Sequence, residues 1–236
     1  MPKLDSKPQP RRSVAALWLA LAALGAGCQS PPNGLLRQQA ADALMLGNAQ
    51  RAQQRLELAV EQDPGDWKAA MMLGQIRLTQ DRALDAQLLL ERAQALRPAH
   101  PETPEILDGV AESLYRQDRY ESLHNFLATV ASDRGTTLDY LRQARYLTLM
   151  QDRDGARVAL KKAARFAAPD DATPYLAAAD YYESIGDVPN AILALRRAHA
   201  IKPTSRRVSQ RLRDHGIVPG PTAALPPEHI MEGRGP

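Results

Sequence analysis

The stretch YLAAADYYESIGDVPNAILALRRAHAIKP, residues 175–203, predicts two amphipathic helices joined by a glycine–aspartate turn. In the first helix, aromatic and small residues recur at i, i+3, i+4 and i+7 from Tyr175, which places them on one face. In the second helix, Ala191, Leu195 and Ala198 form a matching face, and a proline closes the run. A helix hairpin of about 34 residues cannot bury such faces alone, so it needs similar neighbours.

The same pattern occurs four more times upstream of this stretch. The copies start at residues 33, 67, 104, 137 and 172, so their spacings are 34, 37, 33 and 35 residues. They cover residues 33–66, 67–100, 104–137, 137–170 and 172–205. Across residues 33–205 the chain resembles the tetratricopeptide-repeat (TPR) family. This resemblance implies an all-α fold, a right-handed superhelical α-solenoid of about five helix hairpins. The alternative is a generic helical bundle with an alanine-rich core, which register-matched copies disfavour.

The third copy departs from the pattern at its second helix. Leu123 and Val130 stand where the other copies have alanine, and residues 101–103 are inserted before the copy begins. Larger side chains at close-contact positions keep neighbouring helices further apart. We therefore expect repeat three to be the weakest joint of the array.

The N-terminal segment, residues 1–27, has the pattern of a signal peptide. Arg11 and Arg12 precede 14 apolar or small residues that run from Val14 to Gly27. As a helix, this run would be about 21 Å long, at about 1.5 Å per residue, and a membrane span needs about 30 Å. The pattern therefore predicts a cleaved targeting segment that is kept out of the fold.

The end of this segment, Leu24-Gly25-Ala26-Gly27-Cys28, resembles the bacterial lipobox, although Gly25 stands where leucine is usual. The resemblance implies cleavage before Cys28, which would carry diacylglycerol on its thiol and an acyl chain such as palmitate on its amine. Residues 28–32 would then form a lipidated tether. Because Gln29 is not aspartate, the implied location is the periplasmic side of the outer membrane. The alternative is an ordinary signal peptide followed by a chance cysteine.

Charge and motif patterns disfavour several functional classes. Residues 1–27 hold four of the 30 basic residues and one of the 27 acidic residues, which leaves 26 of each in the remaining chain. A neutral mature chain does not predict nucleic-acid binding. The five histidines have no metal-ligand spacing, and the sequence has no phosphate-binding loop or nucleophile elbow. We therefore expect no metal, no cofactor and no enzymatic activity.

In the TPR family, the first helix of each repeat lines a concave groove that contacts partners. The resemblance places an acidic strip in that groove, consisting of Glu105, Asp108, Glu112 and Tyr115. Further candidate partner-binding residues are Arg145, Asp180 and Glu183. Within their helix, the acids of the strip have no interleaved lysine to relieve their repulsion. The strip could therefore receive a basic peptide segment, and the alternative is a solvated helix face.

Beyond the repeats, Ser205 can cap a short helix over residues 206–216, which Gly216 closes. We expect this helix to shield the last repeat and residues 217–236 to be disordered. A basic patch overlaps the cap, and its members are Arg196, Arg197, Lys202, Arg206, Arg207, Arg211 and Arg213. Such a patch could meet phosphates of lipopolysaccharide, anionic lipid or an acidic protein, and the alternative is a soluble polar cap.

These patterns together predict a membrane-anchored scaffold for protein–protein interactions in the cell envelope. Its partner would be an envelope protein or peptide segment held in the concave groove. TPR lipoproteins of similar architecture serve in pilus or secretion-system biogenesis, so the resemblance implies an assembly of that kind. The alternative is an envelope enzyme or a regulator of a cell-wall hydrolase.

Overall fold

The computed structural model describes residues 31–227, and every regular element in that range is an α-helix. The helices are α1 (Asn33–Met45), α2 (Ala49–Gln62), α3 (Trp67–Thr79), α4 (Ala83–Leu96), α5 (Thr103–Arg116), α6 (Tyr120–Asp133), α7 (Thr137–Leu149), α8 (Arg153–Phe166), α9 (Thr173–Ser184), α10 (Val188–Ile201) and α11 (Arg206–Asp214). Ten of the helices within this range pair as five successive hairpins, and α11 follows the last one. The predicted signal peptide and Cys28 lie outside the described residues, as do residues 228–236.

The chain forms two compact units. The first ends at Asp63, and the second begins at Pro64. In the first unit, α1 packs against α2. Leu36 and Leu56 are fully buried in this hairpin. The side-chain amide of Asn33 donates a hydrogen bond of 2.9 Å to the Ala59 carbonyl, which ties the start of α1 to the end of α2.

The second unit stacks four hairpins in chain order. Each second helix packs against the first helix of the next hairpin, and the first helices α3, α5, α7 and α9 also contact one another in order. Leu90 of α4 is fully buried between two glycines of the first helices. A Cβ atom would lie 2.8 Å from Leu90 Cγ if added at Gly74, and 2.7 Å from Leu90 Cδ1 if added at Gly109. The two glycines therefore make room for one leucine at the joint of two repeats.

Each hairpin turns through a residue with a left-handed backbone. These residues are Gly47, Asp81, Asp118, Gln151 and Gly186, with φ angles of 72°, 60°, 55°, 63° and 75°. Their spacings are 34, 37, 33 and 35 residues, which match the spacings of the sequence repeats. Glycine adopts this conformation at little cost, whereas the side chain of Gln151 makes it less favourable. All five hairpin turns therefore have the same left-handed backbone geometry, although glycine is present in only two of them.

The third repeat differs from its neighbours in how its helices pack. Leu123 and Val130 are buried in α6, and α5 packs more closely against α4 than against α6. The insertion before α5 is closed by local hydrogen bonds. The Thr103 hydroxyl accepts from the His100 N–H at 2.8 Å and donates to the Arg97 carbonyl at 3.2 Å. Pro101 and Glu102 therefore lie in a defined turn, and Thr103 begins α5.

The last helix, α11, begins at a side-chain cap in which Ser205 accepts from the Val208 N–H. The sequence pattern predicts disorder from residue 217 onward, but residues 222–225 lie against α10. Arg196 Nε donates to the Ala223 carbonyl at 2.8 Å, and the Leu225 N–H donates to the Arg196 carbonyl at 3.2 Å. Because residues 222–225 contribute main-chain groups to these contacts, no periodic side-chain pattern in that segment signals them.

Candidate protein-binding site

The acidic strip lies on α5 and follows the helical spacing of its residues. Glu105 and Asp108 are exposed, whereas Glu112 and Tyr115 are half-buried. On the next first helix, α7, the strip faces Arg142, Arg145 and Tyr146. The charges of α5 therefore have to be considered together with those of the following repeat.

Arg142 neutralises the centre of the strip. Its side chain is only 2% exposed, and its Nε donates to Asp108 Oδ1 at 2.5 Å. Its other guanidinium nitrogens donate to Asp139 Oδ1 at 2.8 Å and to the Pro104 carbonyl at 3.1 Å. One buried cation thus binds two carboxylates and the start of α5.

Glu112 is held by three groups. It accepts hydrogen bonds from the Tyr146 hydroxyl at 2.9 Å and from Arg116 Nε at 2.8 Å, and it forms an ion pair with Arg145 at 3.6 Å. Burial alone would raise the pKa of Glu112, but the hydrogen bonds from Arg116 and Tyr146 outweigh it and lower that pKa. Burial, reinforced by the Glu112 carboxylate, raises the pKa of the Tyr146 hydroxyl well above its ordinary value.

The expectation that the strip repels itself without relief is therefore wrong. Arg116, at the end of the same helix, pairs with Glu112, and Arg142 and Tyr146 bind Asp108 and Glu112 from the neighbouring repeat. A search for lysines between the acids of one helix does not find these partners. A signal was present, since Arg142 and Tyr146 each lie 34 residues after their partners, Asp108 and Glu112. That separation is one repeat period, which places equivalent positions of successive first helices side by side.

Arg145 and Tyr115 lie beside the ion pairs of the strip, next to the ring of Tyr146. The Arg145 side chain is 62% exposed, and its guanidinium lies 5.2 Å from the centre of the Tyr146 ring. The Tyr115 ring lies 5.9 Å from the rings of both Tyr146 and Tyr120. Arg145 thus lies beside a cluster of three tyrosine rings on the side of the protein formed by the first helices.

Beside Arg145, a cavity of about 390 Å³ opens between α7 and α9. We call it the first-helix cavity. Its lining residues are Leu141, Ala144, Arg145, Thr148, Leu149, Leu160, Ala177, Asp180, Tyr181 and Ser184. Most of the wall is apolar, with a cation on the α7 edge and a carboxylate on the α9 edge. Such a cavity suits one large apolar side chain flanked by polar groups.

Asp180 and Glu183, two predicted partner-binding residues, are bound by α11. Arg211 forms an ion pair with Asp180 at 2.8 Å and donates a hydrogen bond to Glu183 at 2.8 Å. His215 Nε2 lies 2.9 Å from the other Glu183 oxygen. Burial would raise the pKa of Glu183, but the hydrogen bonds from His215 and Arg211 lower it overall. The capping helix α11 therefore covers the two acids of α9, which is the first helix of the last hairpin.

The basic patch does not form one continuous free surface. Arg211 binds the acids of α9, and Arg196 donates to the carbonyls of Thr222 and Ala223. Arg197 lines a separate groove between α8 and α10. The remaining members are Lys202, Arg206, Arg207 and Arg213, and all four are exposed. The patch predicted as a single binding site is thus divided among different local roles.

Within residues 31–227, no group of three or more His, Cys, Asp or Glu side chains is arranged to hold a metal ion. In the same range, no helix is both long enough and apolar enough to cross a membrane.

No protein-family model matches the sequence, and no curated protein matches it. Several solved structures do match the fold. The TPR protein TTC0263 of Thermus thermophilus is 20% identical with a TM-score of 0.53, over 77% of this chain and 97% of that chain. The C-terminal part of a TPR protein from Cytophaga hutchinsonii is 17% identical with a TM-score of 0.56, over 84% of both chains. PilF of Pseudomonas aeruginosa is 14% identical with a TM-score of 0.53, over 85% of this chain and 96% of that chain. At these identities the likeness establishes the fold alone, and the predicted α-solenoid of helix hairpins is confirmed as a tetratricopeptide-repeat fold.

Proposed function

We propose that this protein is a non-catalytic scaffold that binds a segment of a partner protein along its first helices. The observation that carries the proposal is the first-helix cavity of about 390 Å³ between α7 and α9. Its apolar wall would receive a large apolar side chain of the partner. Arg145 and Asp180, on opposite edges, would fix the orientation of the flanking peptide.

The proposal extends to the cell envelope. Cys28 would be lipidated and would hold the protein on the periplasmic side of the outer membrane, as the lipobox-like sequence from Leu24 to Cys28 suggests. The partner would then be an envelope protein in an assembly such as a pilus or a secretion system. Two or more acyl chains support stable anchoring, because each buried methylene contributes about 0.8 kcal/mol.

A photo-crosslinking experiment in cells tests the binding surface. A photoreactive amino acid at Leu149, an exposed residue of the cavity wall, is expected to crosslink the partner. The matched control position is His124 on α6, which is exposed and does not line the cavity. Equal crosslinking from both positions would contradict the proposal.

A second variant closes the cavity itself. Ala177→Trp would fill the first-helix cavity and is expected to abolish recovery of the crosslinked partner in a pull-down. Ala128→Trp, at an exposed position of α6, is the matched control and should leave recovery unchanged. Circular dichroism verifies that both variants are folded. A partner identified as a cell-wall hydrolase would favour the regulator function over the assembly function.

A further inference from the structure

A second groove lies between α8 and α10, and a different face of α9 forms its floor. Its volume is about 700 Å³, and we call it the second-helix groove. The residues that matter most for its chemistry are Arg157, Val158, Lys161, Tyr175, Leu193 and Arg197. None of these residues lines the first-helix cavity, and the two sites share only Leu160 in their walls.

The walls of the second-helix groove expose apolar side chains. Val158 on α8 is 54% exposed, and Leu193 on α10 is 37% exposed. Ala178 lies between them on the floor and is only half-buried. Burying such side chains against a partner would remove apolar surface from water, which favours association. The groove therefore offers a favourable contact to an apolar side chain of a partner.

The rim of the groove is cationic. On α8, Arg157 and Lys161 line the groove, are exposed and stand four residues apart; Asp154 lines it as well. Arg197 lines the opposite side on α10. The only acid of α8 is Asp154, which pairs with Arg157 at 2.5 Å. Among the described residues, no carboxylate lies within ion-pair distance of Lys161.

This arrangement costs helix stability. Like charges at i and i+4 on a helix repel each other and lower the stability of that helix. The same molecule pairs the acids of α5 with arginines: Arg142 binds Asp108, and Arg116 and Arg145 pair with Glu112. The cations of α8 receive no comparable relief at Lys161. An anionic partner would supply a counter-charge that residues 31–227 do not place at Lys161.

We propose that the second-helix groove binds an acidic amphipathic helix of a second protein. Cations four residues apart lie about 6 Å apart along α8, which is also the separation of carboxylates at i and i+4 on a partner helix. The apolar side chains of that helix would lie between Val158 and Leu193. Because the apolar walls are recessed between two helices, side chains projecting from a helix reach them, whereas lipid headgroups would contact the rim alone.

The test measures fluorescence polarisation of a labelled peptide of about 15 residues, with Glu at i, i+4 and i+8 and Leu on the adjoining face. The matched peptide carries Lys in place of each Glu. We expect the full chain to bind the Glu peptide and not the Lys peptide. Lys161→Glu and Leu193→Glu should each weaken binding by about fivefold or more.

A matched control variant separates the groove from general charge effects. Arg51→Glu reverses an exposed cation on α2 that stands four residues from Arg55, as Lys161 stands four residues from Arg157. It should bind the Glu peptide as the parent does. Ala177→Trp, which fills the first-helix cavity, should also leave peptide binding unchanged, so failure of the proposed function and failure of this inference are distinguishable.

Three outcomes would overturn the proposal. The first is equal affinity of the Lys161→Glu variant and the parent for the Glu peptide. The second is Lys161-dependent binding of phosphatidylglycerol vesicles without binding of the Glu peptide, which would assign the groove to a membrane surface. The third is peptide binding only by a chain shortened after Pro227, which would show that the chain's own residues 228–236 occupy the groove.

Discussion

Arg142 joins two repeats through a buried guanidinium with three partners. Its side chain is 2% exposed, and the side chain of Asp139 beside it is 1% exposed. Asp139 also accepts hydrogen bonds from Thr136, and Arg134 lies 3.4 Å from it. Burial would raise the pKa of Asp139, but the hydrogen bonds from Thr136 and Arg142 lower it, so the carboxylate is ionised. Removing Arg142 would leave this buried charge with weaker compensation.

Substituting Arg142→Met should therefore lower the free energy of unfolding by about 3 kcal/mol. Arg145→Met is the matched control on the same helix, because the Arg145 side chain is 62% exposed and its ion pair is long. The control should change stability by less than about 1 kcal/mol. Urea denaturation followed by circular dichroism measures both values. Similar losses in the two variants would show that burial does not distinguish these arginines.

Gly109 provides a second prediction for a single residue. A methyl group there would clash with Leu90, which is fully buried and also contacts Gly74. Overpacking of this kind costs about 1–3 kcal/mol. Gly109→Ala should therefore be destabilising, although alanine favours helices.

The control for this substitution is Gly34→Ala in α1, where nothing lies within 4 Å of the added Cβ. That variant should gain up to about 1 kcal/mol from helix propensity. Thermal unfolding of both variants gives the comparison. If both substitutions raise the unfolding temperature, the space beside Leu90 is not limiting.

The sequence indicates these residues to different degrees. The small residues at hairpin joints, such as Gly74, follow from the repeat pattern. The pairing of Asp108 with Arg142 could have been found by comparing charges one repeat apart, because both positions have the same place in successive first helices. The link between Glu183 and Arg211 could not, since it joins a repeat to a capping helix with no shared period.

At the level of helices, α11 combines an apolar face and a charged face. Val208 and Leu212 are buried in the same apolar cluster as Tyr175 and Ala198. On its other side, Arg211 and His215 hold Glu183 of α9. The sequence predicts the first face from its spacing and the second only as an unassigned basic patch. These ion pairs hold α11 against α9.

This contact predicts a pH dependence of stability. Because the folded-state pKa of Glu183 is below its ordinary value of 4.5, its contribution is fully present above that value and is lost as the pH falls through the folded-state pKa. Stability should therefore fall with acidification below about pH 4.5. Glu183→Gln should make that decline shallower, whereas Glu105→Gln, at an exposed position of α5, should not. Urea midpoints measured across this range would contradict the prediction if the three proteins gave parallel curves.

Repeat three provides a prediction about local opening. Leu123 and Val130 are buried in α6 where the other repeats have alanine, and α5 packs more closely against α4 than against α6. Within its unit, α6 is therefore the second helix that its neighbours hold least tightly. In a repeat protein, stability is approximately the sum of repeat and nearest-neighbour terms, so a weak joint opens first. Native-state hydrogen exchange should show lower protection in α6 than in α4, α8 or α10. Uniform protection in these four helices would contradict this.

For the whole molecule, the hairpin repeat explains why one chain can present two separate cavities that we propose as binding faces. The first helices bring the first-helix cavity to one face of α9, and the second helices bring the second-helix groove to another. The repeat period predicts the helices and their order. It does not predict the cavities, because a cavity forms where small side chains leave space between neighbouring hairpins. Ala177 leaves such space in the first-helix cavity, and Ala178 does so in the second-helix groove.

The last prediction for the whole molecule concerns the proposed lipid anchor at Cys28. The cysteine follows the apolar run from Val14 to Gly27 and is the only one in the sequence. If signal peptidase II cleaves before it, the mature protein should be found in the outer-membrane fraction, and its mass should include the acyl chains. Cys28→Ser should yield uncleaved or soluble protein, because no thiol remains to carry diacylglycerol. Ser30→Ala, two residues away, is the control and should fractionate as the parent does. Unchanged membrane partition and an unchanged mature mass in Cys28→Ser would exclude lipidation, and the segment would then be an ordinary signal peptide.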